Sequence, residues 1–567
     1  MASTIKVLDP RCDVVEDGPI NHIVLQGGRL VNQQIVVSDS WGAPNTDIVS
    51  DISFTINPPS TTTIIDRMIK VRYFVAVLIT TTGNNPNEPT PENALVQPGD
   101  NNNALRQMPM SSIIDTTTVQ INGESFSDTT GDIVKPMLHY GLTTEAQSRY
   151  CSTTPMCPDA YQEYYDWQNY GSAKNPLQEY GNMSDKDPRG GFTFSKAAEY
   201  VGVLPSKVVK YYYELTEPLF LSPFASGFQV NNDVQGFVNV NQMNLNLRFK
   251  SGGLISGIWT NNPYDNGGTT PLNANAVITN IAVQFYQAPE VLLTYISPDV
   301  NQLIPPLQIL PYKKPLLFKK DIGSFTSFEQ KVETTDSIKL SQIPRKMYLW
   351  CSIKPSSVEP WLKSDAYLAL RNLSILWSNQ TGLMSSATPQ QLYEISVRNG
   401  LEKTYTQFKN FTGSVFCCEF GTDIGLLDDL APGTQSQQLI QIQATWKNTS
   451  TKTHDYIFNY MFLLEGTISI TENSARCLLG SLTPADVINA KRQPDKMTIS
   501  YAEYNGGGNF FQNLRSFVRK LGGFGNKVLS GPIGVGLRAA FPEFSPIIEG
   551  VHSAAKMAQG AGRRRLR

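Results

Sequence analysis

From residue 243 to residue 250 apolar and polar side chains alternate without a break. Met243, Leu245, Leu247 and Phe249 fall on one side, and Asn244, Asn246, Arg248 and Lys250 on the other. Successive side chains of a strand point to opposite faces, so this pattern predicts a strand with one buried and one wet face. Ile281, Val283 and Phe285 repeat it. In the second half of the chain Ile440, Ile442, Ala444 and Trp446 alternate with Gln441, Gln443, Thr445 and Lys447. Further strands are expected at residues 54–56, 68–80, 118–121, 124–127, 290–296, 337–340, 346–353, 367–377, 414–419 and 456–470. Asn122-Gly123 separates two of these segments, and that pair readily takes the positive φ angles of a two-residue hairpin turn.

Helices are few. Thr388 followed by Pro389 and then Gln391 is an N-cap, a proline at the first helical position and a capping-box partner. Leu392, Ile395 and Val397 follow, and Gly400 ends the helix. A shorter helical stretch is expected near residues 133–139, ahead of Gly141. Each half therefore carries strands, one inserted helix, then more strands. Pro298, Pro305, Pro306, Pro311 and Pro315 crowd one short stretch. Proline removes a ladder donor, so the connection between the halves is expected at about residues 297–320. Segments 81–103, 175–191 and 251–275, rich in Asn, Pro, Gly and Thr, read as surface loops.

With 567 residues, the chain exceeds what one hydrophobic core ordinarily supports, so two β domains with extensions are expected. Only 17% of residues are charged, which suits a protein that covers much of its surface with other subunits. The seven cysteines are odd in number and share no spacing. A disulfide framework is not expected, and assembly inside a reducing cell is. Residues 1–10 have no basic segment leading into an apolar run, so no signal peptide is expected. The longest apolar stretches, 73–80 and 460–470, have the length of strands.

Charge is distributed unevenly. Residues 505–567 contain ten Lys or Arg against Glu543 and Glu549, a net +8 that leaves −10 for the rest. Phe510, Phe511, Leu514, Phe517, Val518 and Leu521 have helical spacing beside Arg515, Arg519 and Lys520. With Lys527, Arg563, Arg564, Arg565 and Arg567 these cations form a candidate contact for nucleic acid or for a membrane surface. A helix packed under the rest of the protein with a solvated arginine tail is the plainer reading. Segment 521–525 (LGGFG) loosely resembles sites cut by adenovirus-type maturation proteases.

Catalytic chemistry finds little support. The four histidines, His22, His139, His454 and His552, have no ligand-like spacing. No phosphate-binding loop, dinucleotide fingerprint or nucleophile elbow is present. Cys151 and Cys157 lie six apart and read as unpaired thiols in a loop. Cys417 and Cys418 are adjacent in a strand, so they point apart and at least one belongs to a core. Tyr161, Tyr164, Tyr165, Trp167, Tyr170 and Tyr180 suit a subunit interface or a sugar platform. Asp159, Glu163 and Asp166 beside them leave a glycan-binding or glycan-cleaving β-sandwich protein as the alternative.

A series of short motifs resembles the double jelly-roll major capsid proteins of Polinton-like viruses and adintoviruses. They are residues 67–73 (RMIKVRY), 119–123 (VQING), 217–223 (EPLFLSP), 236–242 (GFVNVNQ) and 286–290 (YQAPE). The second half adds 338–344 (IKLSQIP) and 379–389 (NQTGLMSSATP) with Leu392 and Tyr393. The series keeps its order over about residues 25–500. The resemblance implies an all-β chain of two consecutive eight-stranded antiparallel jelly rolls with short inserted helices. Residues 1–24 would be an arm, 25–300 the first jelly roll, 301–504 the second, and 505–567 the basic tail. It further implies a non-enzymatic shell protein without cofactors. Three copies would form a pseudo-hexagonal trimer that tiles an icosahedral shell in the virion. Its partners would be penton and minor capsid proteins, with packaged DNA or an internal membrane beneath the tail.

Overall fold

The computed structural model describes residues 7–8, 14–15, 30–82, 103–140, 153–156, 196–201, 206–224, 236–261, 277–297, 304, 306–355, 365–378, 380–410, 412–449, 453–480 and 482–491. The chain divides into two units, residues 1–6 with 11–489, and residues 7–10 with 490–567. Nearly every described residue belongs to the first unit, which contains both β halves.

The principal strands of the first half are β1 (Leu30–Val37), β2 (Asp51–Ile56), β3 (Ile64–Asp66), β4 (Lys70–Thr82), β5 (Ile114–Ile121), β6 (Glu124–Asp128), β7 (Lys196–Val201), β8 (Ser206–Pro218), β9 (Met243–Phe249) and β10 (Val277–Ser297). Helices α1 (Pro109–Ile113) and α2 (Thr130–Met137) interrupt them. One sheet runs β6-β5-β9-β2. The facing sheet runs β7-β8-β4-β10-β3, with β1 added to β10. Leu245 lies opposite both Phe54 and Val119, and all three are fully buried. In the facing sheet Val77 lies between Tyr211 and Val283, and Val75 between Tyr213 and Phe285. These rows from two sheets fill one core. The Asn122-Gly123 turn forms as its sequence predicts, with φ of 45° and 93°, and pairs Ile121 with Glu124.

The second half contains β11 (Leu307–Phe325), β12 (Gln330–Thr334), β13 (Ile338–Gln342), β14 (Lys346–Ile353), β15 (Ala369–Trp377), β16 (Gln380–Leu383), β17 (Val415–Glu419), β18 (Gln435–Lys447), β19 (His454–Thr471) and β20 (Ser474–Leu479). Helices α3 (Pro389–Arg398) and α4 (Tyr405–Lys409) lie between β16 and β17. The sheets run β11-β19-β14-β17, with β20 on β19, and β12-β18-β15-β16, with β13 on β18. β12 and β13 pair with one strand and are separated at Thr335, whose hydroxyl accepts from the Ile442 N–H at 3.0 Å. Short segments of this kind raise the strand tally in each half above its long, core-forming strands.

β11 and β19 are too long for one sandwich. At about 3.3 Å per residue, a strand of 19 residues reaches roughly 60 Å. Their ladder runs unbroken from the Leu307–Thr471 pair to the Phe325–His454 pair, apart from one bulge between Asp321 and Gly323. Leu310, Tyr312, Ile468 and Ile470 at one end belong to the first core. Phe325, Tyr456, Phe458, Tyr460 and Phe462 at the other belong to the second. Tyr312 meets Phe126 of β6 edge to face at 5.5 Å.

This placement corrects the proline argument. The connection ends by residue 306, and Pro311 and Pro315 lie inside β11. Among the described residues β11 is an edge strand, paired only with β19. The Lys313 N–H, midway between the prolines, turns away from β19 and donates to the Ser222 hydroxyl at 2.9 Å. Both prolines share that outward register, where no ladder donor is lost.

Because one ladder enters both cores, the substitution Ile470→Ala is expected to cost about 2–5 kcal/mol, the usual range for truncating a buried aliphatic side chain. Hydrogen exchange should report loss of protection in β9 and in β18 together. Loss confined to β9 would mean that the ladder does not couple the sandwiches.

Candidate functional site

The β11-β19-β14-β17 sheet is covered on both faces. Met347, Leu349 and Cys351 of β14 point into the second core. Tyr348 and Trp350 point the other way, with Val415 and Cys417 of β17 and Met461 and Leu463 of β19. This outer face packs against Ile133 and Met137 of α2 and against Tyr140 beyond it. Cys417 and Cys418 are therefore both fully buried, one on each face. Burial pushes the Cys417 thiol up to about 12 and raises Cys418 and Cys351 well above the usual range. Thiols this protonated are poor nucleophiles.

The seam between the sandwiches is polar where α2 enters it. The Tyr140 hydroxyl donates to the Val415 carbonyl at 2.5 Å, and its ring meets Tyr348 edge to face at 5.2 Å. The His139 ring meets Tyr367 at 5.6 Å, and its carbonyl accepts from the Glu402 N–H at 2.9 Å. Among the described residues its Nδ1 has no partner, and burial, aided by Lys403, holds the imidazole well below its ordinary pKa. Asp365 of the second half takes Lys135 at 2.7 Å and Arg106 at 3.6 Å from the first. Asp132 takes Lys319 at 2.6 Å and Lys250 at 3.9 Å. Lys250 also donates to the Ser112 carbonyl at 3.0 Å. Burial lowers the pKa of Lys135 and of Lys250, while Asp365 and Asp132 respectively work against it. Gly131 is required here, because a Cβ would stand 2.3 Å from the Ile114 carbonyl and 3.0 Å from the Lys250 Nζ.

Further ties cross the seam. Gln308 of β11 accepts from the Val238 N–H at 2.9 Å and donates to the Gly236 carbonyl at 2.7 Å. The turn residue Asn122 donates to the carbonyls of Asn239 at 2.7 Å and Thr471 at 2.8 Å. Asp128 holds Lys314 at 3.1 Å with one oxygen while the other is buried without a partner among the described residues, and burial raises its pKa to about 7. Within the first half, Glu217 accepts the Met110 and Ser111 N–H groups at 3.0 and 2.7 Å, so a β8 carboxylate satisfies the start of α1.

Tyr161, Tyr164, Tyr165, Trp167, Tyr170 and Tyr180 fall outside the described residues. So do Arg515, Arg519, Lys520, Lys527, Arg563, Arg564, Arg565 and Arg567, together with Cys151 and Cys157. Among the described residues no three His, Cys, Asp or Glu side chains are placed to hold a metal ion. The seam charges were not anticipated, although Lys135 and His139 interrupt an otherwise apolar helical stretch.

Two antiparallel β-sandwiches in tandem, joined by a ladder common to both cores, define a double jelly-roll protein. Known proteins supply the particular kind. The first-domain model of the Sputnik virophage major capsid protein matches residues 32–295, and that of the major capsid protein V20 C-terminal domain matches residues 323–466. The capsid protein V20 of Sputnik virophage is 28% identical over 560 residues, covering 93% of this chain and 88% of its own length. A chain of the Sputnik virophage cryo-EM structure superposes with a TM-score of 0.70 at 26% identity, covering 86% of this chain and 95% of that one. The mavirus major capsid protein shares the fold, with a TM-score of 0.59 at 16% identity over 83% of this chain and 94% of that one. The chain is homologous to the virophage major capsid proteins, and that homology supports a structural role in a virion capsid.

Two measurements test the seam. Asp365→Asn leaves buried Lys135 and Arg106 without their shared negative charge, and an expected cost of about 3–5 kcal/mol follows from breaking a buried pair on one side. Urea unfolding reads it. The second is pH dependence. His139 is neutral when folded and titrates near 6.5 when unfolded, so its contribution to stability is full above that pH and falls below it. Asp128 acts oppositely. Its contribution is full below its ordinary 3.8 and is lost as pH rises through about 7. Melting temperatures between pH 5 and 8 should show less acid-side loss in His139→Gln and a smaller neutral-side loss in Asp128→Asn. Unaltered profiles in both would place the titration elsewhere.

Proposed function

We propose that three copies of this chain associate into a capsomer of six jelly rolls with a pseudo-hexagonal outline, and that such capsomers tile an icosahedral shell. The observation that carries this reading is the continuous ladder through both cores. It makes the two sandwiches a rigid pair, and a rigid pair repeated three times supplies six near-equivalent positions. Residues 25–300 and 301–504 act as the two jelly-roll domains, with 1–24 as an arm and 505–567 as a tail. The protein works by assembly and carries no enzymatic activity. Its partners are further copies of itself, penton proteins and minor capsid proteins. The aromatic residues Tyr161, Tyr164, Tyr165, Trp167 and Tyr170 serve as interface anchors.

The net charge of +8 in residues 505–567 supports an inward role. In this reading Arg515, Arg519, Lys520, Lys527, Arg563, Arg564, Arg565 and Arg567 meet packaged DNA or an internal membrane, releasing counterions as they do so.

Light scattering and negative-stain imaging of the recombinant full-length protein test both parts. The expected result is trimers with a hexagonal outline, or closed shells. Deleting 505–567 should leave trimers intact while abolishing salt-sensitive retention of duplex DNA or of anionic vesicles, whichever the intact protein binds. A monomer at every concentration and salt would overturn the reading.

A further inference from the structure

A cavity of about 320 Å³ lies in the seam, with room for roughly ten waters at the volume each occupies in the liquid. Arg106, Lys135 and Lys250 reach its wall from the first half, and Lys319 and Asp365 from the second. Asp115 and Asp132 complete its charged lining, giving four cations and three carboxylates. Two of those carboxylates are already divided, Asp365 between Lys135 and Arg106, and Asp132 between Lys319 and Lys250. Side-chain exposure rises from 6% at Asp365 and 9% at Arg106 to 44% at Lys319, so the cluster runs from a dry inner end to a wet mouth. Burial and the neighbouring cations both act against the charged forms of Lys135 and Lys250. The first turn of α2 reaches this wall through Gly131 and Asp132, adding the positive end of its dipole.

With four cations against three carboxylates the lining carries one excess positive charge, at its half-exposed mouth, and an anion entering there would neutralise it. Guanidinium forks and ammonium point charges together suit a tetrahedral oxyanion. We propose that the seam cavity binds a small oxyanion of the phosphate class, either free phosphate or a phosphomonoester. It would join the cations of the first half to Lys319 of the second. A ligand that binds only the joined, folded state raises its stability by mass action.

The test is the melting temperature of the full-length protein at constant ionic strength, titrated with sodium phosphate, with adenosine monophosphate, or with sodium chloride alone. A saturable rise with phosphate but not with the monophosphate assigns the free ion. A rise with both assigns a phosphomonoester site. Lys319→Gln removes a half-exposed cation at the mouth and is expected to weaken the response severalfold, whereas Asp115→Asn is expected to strengthen it. Anion taken up by the basic tail would leave both variants like the parent. Equal responses to phosphate and chloride, or equal responses in parent and variants, would overturn the proposal.

Discussion

The structure depends on one antiparallel ladder. β11 and β19 stay paired over a length that no single sandwich needs, and the excess at one end is built into the other core. A flexible linker would let the sandwiches tilt against each other. Here tilting would tear Leu310, Tyr312, Ile468 and Ile470 out of the first core. α2 then fixes rotation about the ladder by wedging Ile133 and Met137, with Tyr140 beyond them, against the back of the same sheet. The polar ties of Gln308, Asn122 and Asp365 fall into register because the ladder has already set it.

Much of the fold was legible from local pattern. The alternation in β9 and β18 located half-buried strands, and Asn122-Gly123 located its hairpin. Thr388 and Gln391 form the capping box expected of them. Thr404 and Gln407 form a second one that caps α4, a helix the same signature would have revealed. The prolines misled for a definable reason. Whether a proline is tolerated depends on which edge of a strand its nitrogen faces, and composition does not report that. Continuous apolar runs in β14, β17 and β19 carried a message beyond length. A strand covered on one side alternates, and a strand covered on both sides does not. Tyr348, Trp350 and Cys417 were thus signs that something packs behind the second sandwich.

The seam was not legible, because its pairs are distant in sequence. Lys135 and Asp365 stand 230 residues apart, and Lys314 and Asp128 stand 186 apart. Single-residue cues such as a lysine in an apolar helix mark a group that needs a partner without naming it. The ordered motif series was more informative than any one of its members, and it led to the protein class that the virophage comparisons bear out. One of those motifs has a structural reason: Glu217 is the buried carboxylate that receives the first N–H groups of α1.

The packing of Ile468 and Ile470 bears on synthesis at the ribosome. The first sandwich has most of its strands once residue 297 has emerged, yet part of its core arrives only with β19, nearly at the end of the described chain. Native contacts of such long sequence separation form late. A chain terminated early therefore lacks core residues in both sandwiches, and a translation fragment of the first half is not a smaller building block. Only nearly complete polypeptides acquire the geometry that a shell accepts, so the fold itself screens its subunits for length.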